Sequence, residues 1–146
     1  MKIVIQRVKN ASVKVDGIVT GAIDFGLLLL IGIHQTDTKK EADWCISKIP
    51  KLRIFQDHED KMNLSVQDIR GGILAVSQFT IYGNAKKGTR PSFIEAARPE
   101  IAEPLYDYMV DQLSKKSGCK VESGEFGAMM DVEFTNSGPV TLILEK

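Results

Sequence analysis

The sequence predicts an α/β fold in a single domain covering residues 1–146: a mixed, mostly antiparallel sheet rolled into a barrel-like core, with two main helices packed on it. Three observations lead there. Asp16-Gly17 between alternating segments is the dipeptide of a tight hairpin, which calls for antiparallel neighbours. Leu27 to Ile33 is apolar at almost every position, the pattern of a central strand covered on both faces. Two stretches carry apolar residues at helical spacing, one opened by a capping box and one closed by a glycine.

Taken in order, Lys2 to Val15 alternates as a strand, with Asn10-Ala11 as a bend or bulge, and Ile18 to Ile23 returns beside its second half. Arg7 is the odd member of that first strand, read from its residue type as a surface charge on an edge strand. Thr38-Lys39-Lys40-Glu41 caps a helix whose buried face is Ala42, Cys45, Ile46 and Ile49, and Pro50 ends it. Leu52 to Phe55 reads as a short strand before the charged turn Asp57 to Lys61, in which His58 is a solvated loop residue. Gly71-Gly72 leads into the apolar strand Ile73 to Val76. Pro91 to Ala97 has the form of a short helix with proline in its first turn. A longer helix from Pro99 to Ser117 follows, with Ile101, Leu105, Met109 and Leu113 on one stripe, Lys115 and Lys116 in the last turn and Gly118 as the stop. Cys119 to Glu122, Phe126 to Thr135 and Val140 to Glu145 read as three strands, the last pair separated by a turn at Asn136-Ser137-Gly138-Pro139.

Composition narrows the function. Nineteen basic residues balance nineteen acidic ones, so no global positive field draws the chain to nucleic acid, and a polyanion must be held locally. Cys45 and Cys119 stand far apart with no CxxC or Cys/His cluster, which points to neither a disulfide framework nor a metal site and fits a reduced, cytoplasmic protein. Gln6 and Arg7 interrupt the first apolar segment where a secretion signal needs an unbroken core. The Leu27 to Ile33 run is far short of the roughly 20 residues that cross a bilayer.

Two stretches stand out chemically. Ser77-Gln78-Phe79-Thr80-Ile81-Tyr82-Gly83 puts hydroxyls, an amide and aromatic rings at the end of the apolar strand, followed by the cations Lys86, Lys87 and Arg90. Such polar groups at a strand end commonly satisfy turn hydrogen bonds, and from the residues alone the stretch is open between that role and the wall of a site. Asn136 to Thr141 is a tight Gly-Pro turn, and because X-Pro bonds are cis only about 5–6% of the time, composition by itself argues for a trans bond. The nucleophile elbow, the zinc-protease helix, the phosphate-binding P-loop and the dinucleotide fingerprint are all missing, and there are only two histidines. His34 follows the central strand and is read as structural because no partner is placed beside it. Hydrolysis would therefore need a Ser or Thr nucleophile without an evident base, or backbone donors and the substrate itself.

With these residues in view, the chain resembles the D-aminoacyl-tRNA deacylase family from end to end. The family's Ser-Gln-Phe-Thr motif matches Ser77, Gln78, Phe79 and Thr80, and its Gly-Pro motif matches Gly138 and Pro139. Supporting matches are Arg7-Val8 with Ala11-Ser12-Val13, Lys87 to Phe93, and Gly124 to Met130. Ser137 stands where many members carry Asp, and Ile81 where Leu is common. The resemblance implies a cytoplasmic homodimer, without cofactor or metal, that takes the aminoacylated 3′ end of tRNA and hydrolyses the ester of a D-amino acid, glycyl-tRNA included. It implies that Ser77, Gln78, Phe79 and Thr80 form the catalytic wall, with backbone N–H groups there facing the oxyanion and Phe79 beside the terminal adenine. It also implies substrate contacts from Gly138, Pro139, Arg7, Met129, Lys86, Lys87 and Arg90. The Gly138-Pro139 peptide would be cis, would enter the partner's site and exclude L side chains, and would be held in place by Arg7. Two other readings of the same residues are a small-ester hydrolase with Thr80 as nucleophile, and a non-catalytic nucleic-acid-binding dimer using Lys86, Lys87 and Arg90 with Lys115, Lys116 and Lys120 nearby.

Overall fold

The computed structural model describes residues 1–146. Strand β1 (Lys2–Val15) is its organising element. Along one side it pairs antiparallel first with β3 (Gly26–Gly32) and then with β2 (Ile18–Ile23); along the other it pairs over most of its length with β8 (Asp131–Glu145). Strands β6 (Gly72–Ser77) and β7 (Lys120–Ser123) extend the sheet in parallel beyond β3. Lys120 Nζ donates to the Ala22 carbonyl at 3.2 Å, and Gly21 packs against the Ser123 carbonyl, so β2 and β7 nearly meet and the sheet curls into the barrel-like form expected. Asp16 and Gly17 have φ of 50° and 78°, the mirror-image turn that matches strand twist and favours Asp-Gly.

Alternation along β3 divides the core. Leu27, Leu29 and Ile31 face α1 (Lys39–Lys48) and α2 (Pro99–Lys116) together with Ile3, Ile5, Cys45, Met109 and Leu113, while Leu28 points into the barrel with Val8, Val13, Leu74 and Val76. Both faces of β3 are thus covered, the arrangement its uninterrupted apolarity requires. α1 opens on the capping box, with Thr38 Oγ1 accepting from Lys40 N and Glu41 accepting from Thr38 N at 2.8 Å. On α2 the buried stripe is Leu105, Met109 and Leu113, whereas Ile101 is half-exposed.

Several expectations are corrected. Pro91 to Ala97 is not helical. Ser92 and Asn84 exchange backbone bonds of 2.8 and 2.9 Å, Ala97 N donates to the Ile33 carbonyl and Gln35 N to the Glu95 carbonyl, so the groups a helix would use are committed to other segments. The short strand expected at Leu52 to Phe55 is β4 (Phe55–Gln56), paired with an unforeseen β5 (Met62–Leu64) across the charged turn. Residues 126–130 lie outside any strand, and the two final strands are one, β8, in which Ser137 to Val140 is a bulge and not a connecting turn. The Gly138-Pro139 bond is cis, as the family resemblance implied and against what composition by itself argued. Arg7 is no edge-strand surface charge: its strand is flanked on both sides and its side chain continues the buried Ile3 and Ile5 face, leaving it 7% exposed.

Candidate active site

The Ser77 stretch sits at the C-terminal end of β6. Ile73 to Val76 are buried, Ser77 and Gln78 half-buried, and Phe79 and Thr80 exposed, so the chain passes from core to surface within four residues. At that point it tightens into a 3₁₀ turn, Phe79–Tyr82, seated on the end of β3 by Gln78 N donating to the Ile31 carbonyl at 2.8 Å. Gln78 N–H is therefore unavailable to a ligand. The N–H groups of Phe79 and Thr80 open the turn and have no acceptor within it, and both residues are exposed. Burial pushes the Tyr82 phenol up, with the Asp37 carboxylate adding to the effect, and keeps that ring neutral beneath the turn.

The side chains here are arranged around an amide rather than a base. Gln78 Nε2 donates to the Thr80 hydroxyl, and no imidazole or carboxylate bonds to Thr80. His34 is turned to its own loop: its Nδ1 lies 2.8 Å from Thr36 Oγ1, and its ring rests against Tyr82 with centroids 5.4 Å apart. Phe79 is 57% exposed, not a core aromatic, and stands edge-on to Phe93 with centroids 5.2 Å apart. That pair folds the basic segment back along the turn, and Lys86, Lys87 and Arg90 are all exposed within it. Phe93, read from the sequence only as the end of a supporting match, is brought against Phe79 by the fold.

β6 and β7 are parallel, so Ser77 and the segment after β7 leave the sheet at the same end, where ligand crevices form in parallel sheets. Met129 lies on that segment and is 93% exposed. No group of three or more His, Cys, Asp and Glu side chains is arranged so that it could hold a metal ion. No helix is long and apolar enough to cross a membrane.

The second stretch is built from the opposite direction. β8 pairs Thr141 with Gln6 and Asn136 with Val8, so Ser137, Gly138, Pro139 and Val140 bulge out opposite Arg7 alone. Arg7 grips the bulge, donating from Nε to the Ser137 carbonyl at 3.1 Å and from Nη1 to the Ile54 carbonyl at 2.7 Å. Gly138 has φ of 120°, which side-chain-bearing residues rarely adopt, and a Cβ there would lie 2.6 Å from Arg7 Nη2. Gly138 and Pro139 are exposed.

The structure does not bring the two stretches together within one chain. β1 and β3 separate β8 from β6, three strand spacings or about 14 Å. Along the strands, Arg7 is level with Leu27 and Ile73, so the bulge stands four residues, about 13 Å, short of Ser77.

The family model for D-Tyr-tRNA(Tyr) deacylase matches residues 4–145. The chain belongs to this family. A D-aminoacyl-tRNA deacylase of Exiguobacterium sibiricum is 55% identical over 146 residues, covering 100% of both chains. One of Bacillus thuringiensis is 54% identical over 145 residues, covering 99% of each. Among solved structures, the c-Myc DNA unwinding element binding protein superposes with a TM-score of 0.92 at 42% identity, covering 100% of this chain and 99% of that one. A probable eukaryotic D-amino acid tRNA deacylase, at 17% identity and a TM-score of 0.84, shares the fold. Both unusual stretches fall within the residues that the deacylase family model matches.

Proposed function

We propose that this protein hydrolyses the ester of D-aminoacyl-tRNA, releasing tRNA and the D-amino acid, in the cytoplasm and as a homodimer. The observation that carries the activity is the full-length identity of 55% to a protein named for it. The finer reading is a site made from two chains. One supplies the turn from Ser77 to Thr80; the partner supplies Gly138-Pro139, whose backbone meets the substrate α-carbon and leaves no room for an L side chain. The distance between the two stretches within one chain supports this, as does β8, whose outer edge is unpaired and carries exposed Phe134, Leu142 and Ile143. Glycyl-tRNA has no side chain to exclude and passes the same wall.

In the chemical step, water adds to the ester carbonyl carbon, the carbonyl oxygen takes the negative charge, and collapse expels the ribose oxygen of the terminal adenosine. Phe79 and Thr80 N–H groups would hold that oxyanion, each such donor being worth about 3 kcal/mol. Thr80 shapes the pocket: its hydroxyl is held by the Gln78 amide and lacks the base an attacking hydroxyl needs. The tRNA's own terminal 2′-hydroxyl activates the water by taking its proton as it passes its own to the departing ribose oxygen, which leaves as a hydroxyl. Phe79 and Phe93 offer ring surface for the adenine, Met129 borders the pocket, and Lys86, Lys87 and Arg90 meet the phosphates of the 3′ end.

The test is release of amino acid from matched D- and L-aminoacyl-tRNA. Rapid release from D alone is expected. Release from both at equal rates would remove the chirality reading, release from free D-amino-acid esters as fast as from tRNA would favour a small-ester hydrolase, and binding of RNA without release would favour a nucleic-acid-binding dimer.

A further inference from the structure

The bulge that carries Gly138-Pro139 is held on both faces of β1, and only one hold is Arg7. Neighbouring residues of a strand point to opposite faces, so Gln6 lies across the strand from the guanidinium. There the two residues that bound the bulge, Asn136 and Thr141, converge on Gln6. Asn136 Nδ2 donates to Gln6 Oε1 at 2.8 Å and to Thr141 Oγ1 at 3.2 Å, and the Thr141 hydroxyl donates to the same Gln6 Oε1. The triangle closes the neck of the loop where ladder pairing stops.

Asn136 Oδ1 is buried and has no hydrogen-bond donor. Reversing the Asn136 amide alone would set that oxygen against Gln6 Oε1, two acceptors face to face, so with Gln6 as it stands Asn136 enters the triangle through its Nδ2.

We propose that Gln6, Asn136 and Thr141 are positioning residues for stereochemical selection: they fix the neck of the 137–140 bulge, and with it the place of the Gly138-Pro139 backbone, without touching substrate. The proposal rests on the reading of that backbone as the wall that excludes L side chains. With Arg7 alone the bulge is held at Ser137; the triangle holds both of its ends.

Thr141→Val is the sharpest probe, because it removes the hydroxyl at an exposed position while keeping a β-branched side chain, and Thr141→Ser restores the hydroxyl. Asn136→Ala is the companion. Amide hydrogen exchange reads the lock without any substrate. In Thr141→Val the amides of Ser137, Gly138 and Val140 should exchange about tenfold faster while those of Val132 to Phe134 keep wild-type rates, with Thr141→Ser returning to wild type. The ratio of release from D- to L-aminoacyl-tRNA should fall by about tenfold as L release rises. Unchanged exchange at the bulge overturns the lock, and faster exchange with an unchanged ratio overturns its part in selection. Wild-type protein inactive on every charged tRNA would defeat the deacylase reading instead, and the exchange measurement would still decide whether the triangle holds the bulge.

Discussion

Replacing Arg7 with lysine separates the charge at this position from the geometry that the bulge depends on. The guanidinium reaches two carbonyls of distant segments, Ser137 at 3.1 Å through Nε and Ile54 at 2.7 Å through Nη1, from a position 7% exposed. A lysine has one nitrogen and no planar fork, so it can keep the shorter bond to Ile54 only by abandoning Ser137. Loss of one hydrogen bond to a charged donor, away from solvent, costs about 1.5–3 kcal/mol. A domain of this size loses about 2–4 °C of Tm per kcal/mol, so Arg7→Lys should melt about 3–12 °C below wild type. The charge is conserved, so attraction for tRNA is not the variable. The same lost bond frees one end of the bulge, and the D-to-L release ratio should drop by at least about tenfold. Thermal unfolding followed by circular dichroism, with release assays on both enantiomers, measures the two effects. A variant that melts within a degree of wild type and keeps its discrimination would refute the argument that Arg7 positions Gly138-Pro139.

Other substitutions test separate links. Gly138→Ala adds a Cβ 2.6 Å from Arg7 Nη2 at a φ of 120°; it should lower stability by about 1–3 kcal/mol and raise release from L-aminoacyl-tRNA, and a stable variant with intact selectivity would contradict the wall. Thr80→Val should retain measurable turnover of D-aminoacyl-tRNA, because no base activates that hydroxyl; trapping of an acyl group on Thr80 by rapid quench and mass spectrometry would show the opposite. Burial pushes the Cys45 thiol up to about 11, the nearby Met1 ammonium pulling it down and Asp37 and Glu41 adding to the rise, against about 8.5 in an unfolded chain. The thiol is thus protonated in the fold where the unfolded chain would lose its proton, so its contribution to stability is complete below about pH 8.5 and is lost as pH rises towards 11. Denaturant unfolding of wild type and Cys45→Ala between about pH 8 and 10.5 should show the steeper decline in wild type, and parallel declines would exclude the thiol as the cause.

Much of the fold was legible because its signals are local. The Asp16-Gly17 turn, the Thr38 capping box and the two-sided apolarity of Leu27 to Ile33 each state their structure within a few residues, and each appears where it was read. Pro91 to Ala97 failed for the converse reason: its proline and alanines have helical character, but its backbone partners are Asn84, Ile33 and Gln35, set by the return of the chain and not by composition. For Arg7 only the reading from residue type failed, since a charged residue in an apolar strand reads as exposed unless the carbonyls that receive it, from residues 47 and 130 positions away, are in view; the resemblance had already set it against the Gly-Pro turn.

The sequence by itself determined the class of fold, the two stretches that matter and, through its motifs, the family to which they belong. Only the tertiary structure decided that Gly138-Pro139 is a bulge within one strand, that Gln78 N–H is spent on Ile31 while Phe79 and Thr80 stand exposed, and that Asn136 and Thr141 close upon Gln6. The physical reason is that strand register and hydrogen-bond partners are properties of pairs distant in the chain. A strand records which of its own faces is apolar, but not how many residues of its neighbour will be fitted opposite Arg7.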